Sequence, residues 1–185
     1  MECTALTNDG RFELRRPETE VEWDCYHSIR ERALWDIDAI RQFGPYNRDY
    51  PDQYGDDYTA LVLVRNGIVI GTLGAQDMGH HVTAHGDGRE VEFRAIAIEP
   101  ACQRQGYGGI MLIMAESAAC RQGYHRAGVW SDSATVLFYA RNGFTHRPAD
   151  LPTRMTCLFP GSIPMTKRLD LGIAQNDGSV LIAAA

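Results

Sequence analysis

The stretch QRQGYGG, Gln103 to Gly109, stands between a run reading VEFRAIAIEP and a run reading IMLIMAESAAC. The first has the apolar, β-branched character of a strand. The second is apolar nearly all round, like a buried helix closed by Gly123. A strand that enters a helix through glycines 106, 108 and 109 restricts the fold to architectures that stack a helix on a sheet. Two demands produce such a bare turn. One is close packing of the helix on the sheet. The other is an anion seated on free N–H groups at the helix N-terminus, where the dipole adds roughly 0.3–1 kcal/mol per exposed charge. The residues leave both open, with Arg104 available for a charge-assisted contact. Two nucleotide loops are excluded. No lysine and hydroxyl follow Gly106 as a GxxxxGK[ST] loop demands, and Met111 stands where a GxGxxG fingerprint has its third glycine.

Around this unit the chain alternates elements of both kinds. RFELRR (11–16) reads as a short strand. Val21, Cys25, Ile29 and Ala33 recur at every fourth position between charged residues, which predicts an amphipathic helix from Pro17 to about Trp35. IDAIRQF extends it as a second helical piece until Gly44-Pro45. PYNRDYPDQYGDDY (45–58) reads as a long surface loop. Two apolar runs flank Arg65-Asn66-Gly67, a hairpin signal. GHHVTAHGDG reads as a connector to the strand REVEFRAIAI, which ends at Glu99-Pro100. After a helix over Ile110–Cys120 come a strand in HRAGVW (125–130), a helix capped by Asp132 and ended by Gly143, and strands in FTH and IPMTKRL. This order predicts a mixed α/β, α+β-class sheet with helices packed on it. One domain is expected over 1–185, with its core at 11–170 and a tail at 171–185.

Composition narrows the function. A length of 185 residues, 44% apolar and 23% charged, is that of an ordinary globular chain. A formal charge of −6 excludes a nucleic-acid partner, which needs Lys and Arg to neutralise phosphates. No stretch approaches the ~18 apolar residues of a membrane span, and the N-terminus has no apolar signal core. A cytoplasmic location is expected. The five cysteines are scattered and without a CxxC pair, as reduced thiols would be. His80, His81, His85 and Asp87 fall in a glycine-bearing segment with no helical spacing to hold a cation, so no metal is expected.

Gln103-Arg104-Gln105-Gly106-Tyr107-Gly108 matches the Q/R-x-x-G-x-G/A motif of the GNAT acetyltransferases. FYARNGF (138–144), 35 residues further on, is similar to the family's F/LYxxxGF helix end. On these two motifs the chain resembles the GNAT (general N-acetyltransferase) superfamily over residues 11–170. The resemblance implies a central, mostly antiparallel twisted sheet of about seven strands, splayed between the fourth and fifth and flanked by helices. It implies acetyl-CoA as acyl donor. The pyrophosphate would lie on Gln103, Arg104, Gln105, Gly106, Tyr107, Gly108 and Gly109, and the pantetheine arm along main-chain groups of Ile96, Ala97 and Ile98. The family's asparagine seven residues before the signature tyrosine is Asp132 here, which caps a helix equally well but as a carboxylate cannot donate to the cofactor.

Direct attack on a thioester needs a neutral amine, whereas a free alkylamine with a pKa of about 10.4 is protonated at neutral pH. A base and an acid for the leaving thiolate follow from that need. The resemblance assigns the acid to Tyr139. The candidate base is Glu92 on the strand before the motif, the place from which some members of the resembled family direct a glutamate at the amine, either directly or through water. Glu90 shares its face and stays open as an alternative. Strand alternation puts Glu92, Arg94, Ile96 and Ile98 on one face and Val91, Phe93, Ala95 and Ala97 on the other.

For the acceptor, the tyrosines and aspartates of the 45–58 loop, among them Tyr46, Tyr50, Asp56 and Asp57, suit a small cationic amine through carboxylates and aromatic faces. A solvated acidic loop is the plain alternative. The function expected is therefore acetyl transfer to a small-molecule primary amine. A protein lysine or N-terminus as acceptor, and a non-catalytic acyl-CoA-binding regulatory module, remain the competing readings. A homodimer is compatible with the resemblance.

Overall fold

The computed structural model describes residues 1–7, 10–50, 53–83, 86–149, 161–169 and 179–181. Nine strands form one sheet: β1 (Cys3–Thr7), β2 (Gly10–Arg15), β3 (Tyr58–Arg65), β4 (Ile68–Thr83), β5 (Gly86–Ile98), β6 (Tyr124–Ser131), β7 (Thr145–His146), β8 (Ile163–Arg168) and β9 (Ser179–Leu181). Their order is β7-β8-β6-β5-β4-β3-β2-β1-β9. Only β5–β6 and β1–β9 run parallel; the other neighbours are antiparallel. The helices are α1 (Glu20–Leu34), α2 (Ile37–Phe43), α3 (Tyr107–Arg121) and α4 (Val136–Arg141).

The expected mixed architecture is the one observed, with more strand than the sequence suggested. β1 and β9 lie in segments read as an uncommitted N-terminus and a tail, and they pair with each other. The glycine- and histidine-rich connector is instead the far end of the long β4–β5 hairpin, whose register runs out to Thr83 and Gly86. Asn66 and Gly67, at φ 49° and 84°, make the tight turn between β3 and β4 that Asn-Gly favours. α1 begins later than Pro17, because Thr19 accepts the Glu22 N–H and so caps the helix.

Alternation along β3 divides the interior in two. Leu61 and Leu63 join Phe12, Leu14, Leu73, Val91 and Phe93 beneath α3, whose Met111, Leu112, Met114 and Ala115 are fully buried. Ala60, Val62 and Val64 face the opposite way with Tyr58, against Tyr26 and Trp23 of α1. The apolar circumference of α3 follows from this placement: α4, carrying Tyr139, joins the same cluster and covers what the sheet leaves open.

One expectation about faces is corrected. Thr72 pairs with Ala97, but Gly74 pairs with Arg94, so β5 carries one extra residue there, and Ala95 adopts φ 45°. This bulge reverses the alternation. Ile96 and Ile98 therefore pack with the α3 core, while Glu92 and Arg94 remain on the α1 side. Period-two counting fails at such a point because the extra residue turns the strand by half a repeat.

Candidate active site

The sheet forks at Glu92. β5 and β6 pair from Arg89/Tyr124 to Glu92/Gly128 and no further; beyond that point β5 continues only with β4, and β6 only with β8. The main chain from Phe93 to Ile98 thus has an edge facing a gap rather than a neighbouring strand. Ile98 offers less there than expected, since its carbonyl accepts the Gln103 side-chain amide at 3.0 Å.

At the mouth of this fork the strand passes through a short 3-10 turn (Pro100–Cys102) into the glycine loop. Arg104 has φ 64° and Gly106 φ 84°, left-handed conformations that help turn successive N–H groups to one side, as anion-binding concavities require. No atom lies within 4 Å of where a Gly106 Cβ would stand. The first intrahelical bonds of α3 are from Gly109 and Ile110 to the Gly106 carbonyl, so the amides of Gly106, Tyr107 and Gly108 are helix-start donors with no partner among the described residues. This is open space lined by donors beside an exposed arginine, and it fits a diphosphate. The packing demand is met separately: a Cβ on Gly108 would lie 3.2 Å from Phe138 Cζ. The Tyr107 ring is buried against Phe12 and under Arg65, leaving only its amide for a ligand. Gln105 donates to the Ala101 carbonyl at 3.4 Å.

Glu92 is 3% exposed, and its Oε1 has no hydrogen-bond partner among the described residues. Burial pushes its carboxyl up to about 7, with Glu90 raising it further and Arg94, Arg147 and the Trp130 indole opposing. Glu90 is in a different state. Both of its oxygens are held by the guanidinium of Arg147, Nη2 to Oε2 at 3.0 Å, and the pair is almost wholly buried. Gly128 makes room for them, since a Cβ there would stand 2.8 Å from Glu90 Oε1. Of the two carboxylates, only Glu92 has a free oxygen.

The Tyr139 ring is buried against Phe138 and Phe144, which fixes it edge-on between them. Its hydroxyl makes no hydrogen bond to the described residues. Burial, and next the charge of Asp132, push its pKa up, so it stays protonated. Asp132 is committed to the turn before α4, accepting from Thr135 N at 2.7 Å and Thr135 Oγ1 at 2.9 Å.

The expected acceptor residues are not gathered into one acidic surface. Tyr46 bonds His27 Nδ1 at 2.9 Å, and Tyr50 and Asp56 are exposed. Asp57 alone joins the site, through a relay: Gln76 Nε2 donates to Asp57 Oδ2 at 2.8 Å, and Gln76 Oε1 accepts from Arg94 Nη1 at 2.7 Å. Arg94 Nε lies 3.8 Å from Glu92 Oε1. Gln76 and Arg147 had no signal in the sequence; Arg94 had one, since E-V-E-F-R places three charged side chains on one face of an otherwise apolar strand.

Among the described residues no group of His, Cys, Asp and Glu could hold a metal ion. His85 and the side chains of His81 and Asp87 lie outside the described residues. No described helix is long and apolar enough to cross a membrane.

A family model described as "Acetyltransferase (GNAT) domain" matches residues 56–146. The chain belongs to the GNAT superfamily of acyltransferases. Its fold is similar to the GNAT domain of S. lividans PAT (21% identity over 91% of this chain and 97% of that one, TM-score 0.61). It is similar also to Tetrahymena GCN5 (16%, 92% and 97%, TM-score 0.60). A third likeness is to the PaiA N-acetyltransferase from Thermoplasma acidophilum in complex with coenzyme A (16%, 85% and 98%, TM-score 0.55). No curated protein sequence matches the chain.

Proposed function

We propose that the protein moves an acetyl group from acetyl-CoA directly to the primary amine of a small molecule. The observation that carries this reading is the fork itself: β5 and β6 part at a buried carboxyl whose Oε1 is unpartnered, with an unpaired phenol on α4 and a donor-lined loop at the end of the same strand. The donor supplies an activated acyl group. Amides of Gly106, Tyr107 and Gly108, with Arg104, hold the diphosphate. Glu92, titrating near neutrality, takes a proton from the ammonium form of the acceptor, and Tyr139 gives a proton to the departing sulfur. Glu90, with both oxygens held by Arg147, has none left to receive the acceptor amine.

A cytoplasmic location accompanies this reading, supported by the free thiols of Cys25 and Cys102. The test is thiol release from acetyl-CoA across a panel of amines, paired with calorimetric titration of acetyl-CoA. Turnover that Glu92→Gln and Tyr139→Phe each lower by about 10²-fold or more is the expected result. Tight binding without turnover on any amine or peptide would instead make the protein a non-catalytic acyl-CoA-binding module.

A further inference from the structure

Two guanidinium groups lie on the α1 side of the sheet, Arg94 beside Glu92 and Arg30 on the Tyr58 hydroxyl, and neither is hydrogen-bonded to a carboxylate. Arg30, from α1, donates through Nη1 to the hydroxyls of Tyr26 and Tyr58, the latter at 3.2 Å. Those two phenols are themselves buried and bonded to each other at 3.0 Å. Arg30 Nε is buried without a partner, and Arg30 forms no ion pair among the described residues. The Tyr58 hydroxyl lies directly over Gly74, where a Cβ would come within 1.9 Å of it, and Gly74 is the cross-strand partner of Arg94. Through Tyr58, Arg30 thus reaches the position on β4 that pairs with Arg94. Arg94 donates to the neutral amide oxygen of Gln76, and its only carboxylate neighbour, Glu92, stands at 3.8 Å with no hydrogen bond.

A half-buried cation is costly when it has no counter-ion, as Arg30 has none among the described residues, or only one that is not hydrogen-bonded to it, as Arg94 has in Glu92, unless something else brings the negative charge. Phenols and an amide satisfy donors but do not neutralise charge. The missing anion has to be compatible with a base only 3.8 Å from Arg94 Nε, which is a span comparable to that between the nitrogen and the carboxylate of an amino acid. A long diamine would bring a further positive charge, and a bare alkylamine no negative one, to a place already holding two cations. Guanidinium recognises a carboxylate with paired N–H donors, which fits this chemistry better than ammonium recognition does.

We propose that the acceptor is an α-amino acid or a similarly short amino carboxylate, with its carboxylate seated between Arg94 and Arg30 and its amine beside Glu92. This rests on the transferase reading above and deepens it by naming the substrate class. Asp57 and Gln76 act as positioning residues, since they reach the ligand only by aiming Arg94.

The test is thiol release from acetyl-CoA with the common L-amino acids, their primary amides and the corresponding decarboxylated amines. In the wild-type protein the best amino acid should exceed its amide in kcat/KM by roughly 100-fold, because the amide leaves buried charge unpaired. In Arg94→Met and Arg30→Met that ratio should fall toward unity, while the calorimetric affinity for acetyl-CoA is retained. Arg94→Lys, which keeps the charge but loses the fork, should fall between. Equal use of amides, diamines and acids by the wild-type protein would overturn the proposal and leave the transferase reading standing. Absence of turnover with every amine would sink the transferase reading; titration of the amino acids into the protein–CoA complex then decides the carboxylate seat, and no heat of binding would overturn it too.

Discussion

Glu92 and Gly128 are the last residues through which β5 and β6 pair. Past them the two strands keep only their outer neighbours, so a buried carboxyl sits where the sheet divides. Its pKa near 7 follows from that position, because burial outweighs the stabilisation that Arg94 and Arg147 give the charged form.

Activity should therefore rise with pH through a limb near 7, read as kcat/KM against pH. Glu92→Gln should lower kcat by about 10²–10⁴-fold and remove the limb. Stability should move the other way. The folded pKa is raised above the ordinary 4.5, so the native state binds the extra proton between the two values and loses stability as pH rises from 4.5 to 7. Denaturant titrations at pH 5 and pH 8 should show Glu92→Gln free of this slope, whose ceiling is about 3 kcal/mol.

Tyr139→Phe keeps the ring that packs on Phe138 and Phe144 and removes a hydroxyl that holds nothing in the fold. Its melting temperature should match the wild type within the usual ±0.5 kcal/mol of a neutral change, about 1–2 °C at this size. The expected loss is in kcat alone, by roughly 10²-fold. A stability loss without a kinetic one would make the phenol a packing residue.

Arg147→Met should destabilise by about 3–5 kcal/mol, because it strands Glu90 as a buried, uncompensated charge. Arg147→Met combined with Glu90→Gln should recover much of that loss. Urea midpoints of the single and double variants give the coupling directly.

His27 bridges Tyr46 and Tyr54, and burial, then Arg48 and Arg30, hold its pKa down at about 4. With a folded pKa below the ordinary 6.5, the unfolded chain takes up the proton first. Stability contributed by neutral His27 is present above 6.5 and is lost as pH falls toward 4. The difference in thermal midpoint between wild type and His27→Gln should shrink over that window.

The glycines at 106 and 108 should fail in different ways. Gly106→Ala meets no atom but must hold φ 84°, a strain of about 1–2 kcal/mol, and should weaken acetyl-CoA binding by distorting the loop. Gly108→Ala pushes on Phe138 at 3.2 Å, the neighbour of Tyr139, and should depress kcat more than it raises KM.

Local signals in the chain determined the hairpin at Asn66-Gly67, the strand–turn–helix unit around Gly106, the buried character of α3 and the placing of a carboxyl at 92 and a phenol at 139, because each depends on residues a few positions apart. Folding alone decided the rest. The bulge at Ala95 reassigned Ile96 and Ile98 to the α3 side, Arg147 singled out Glu90 as its partner and left Glu92 with a free oxygen, and Gln76 arrived at the site from a position 16 residues away from Glu92. Charge compensation and burial are properties of partners brought together by long-range pairing, and no spacing along the chain encodes which cation will find which carboxylate.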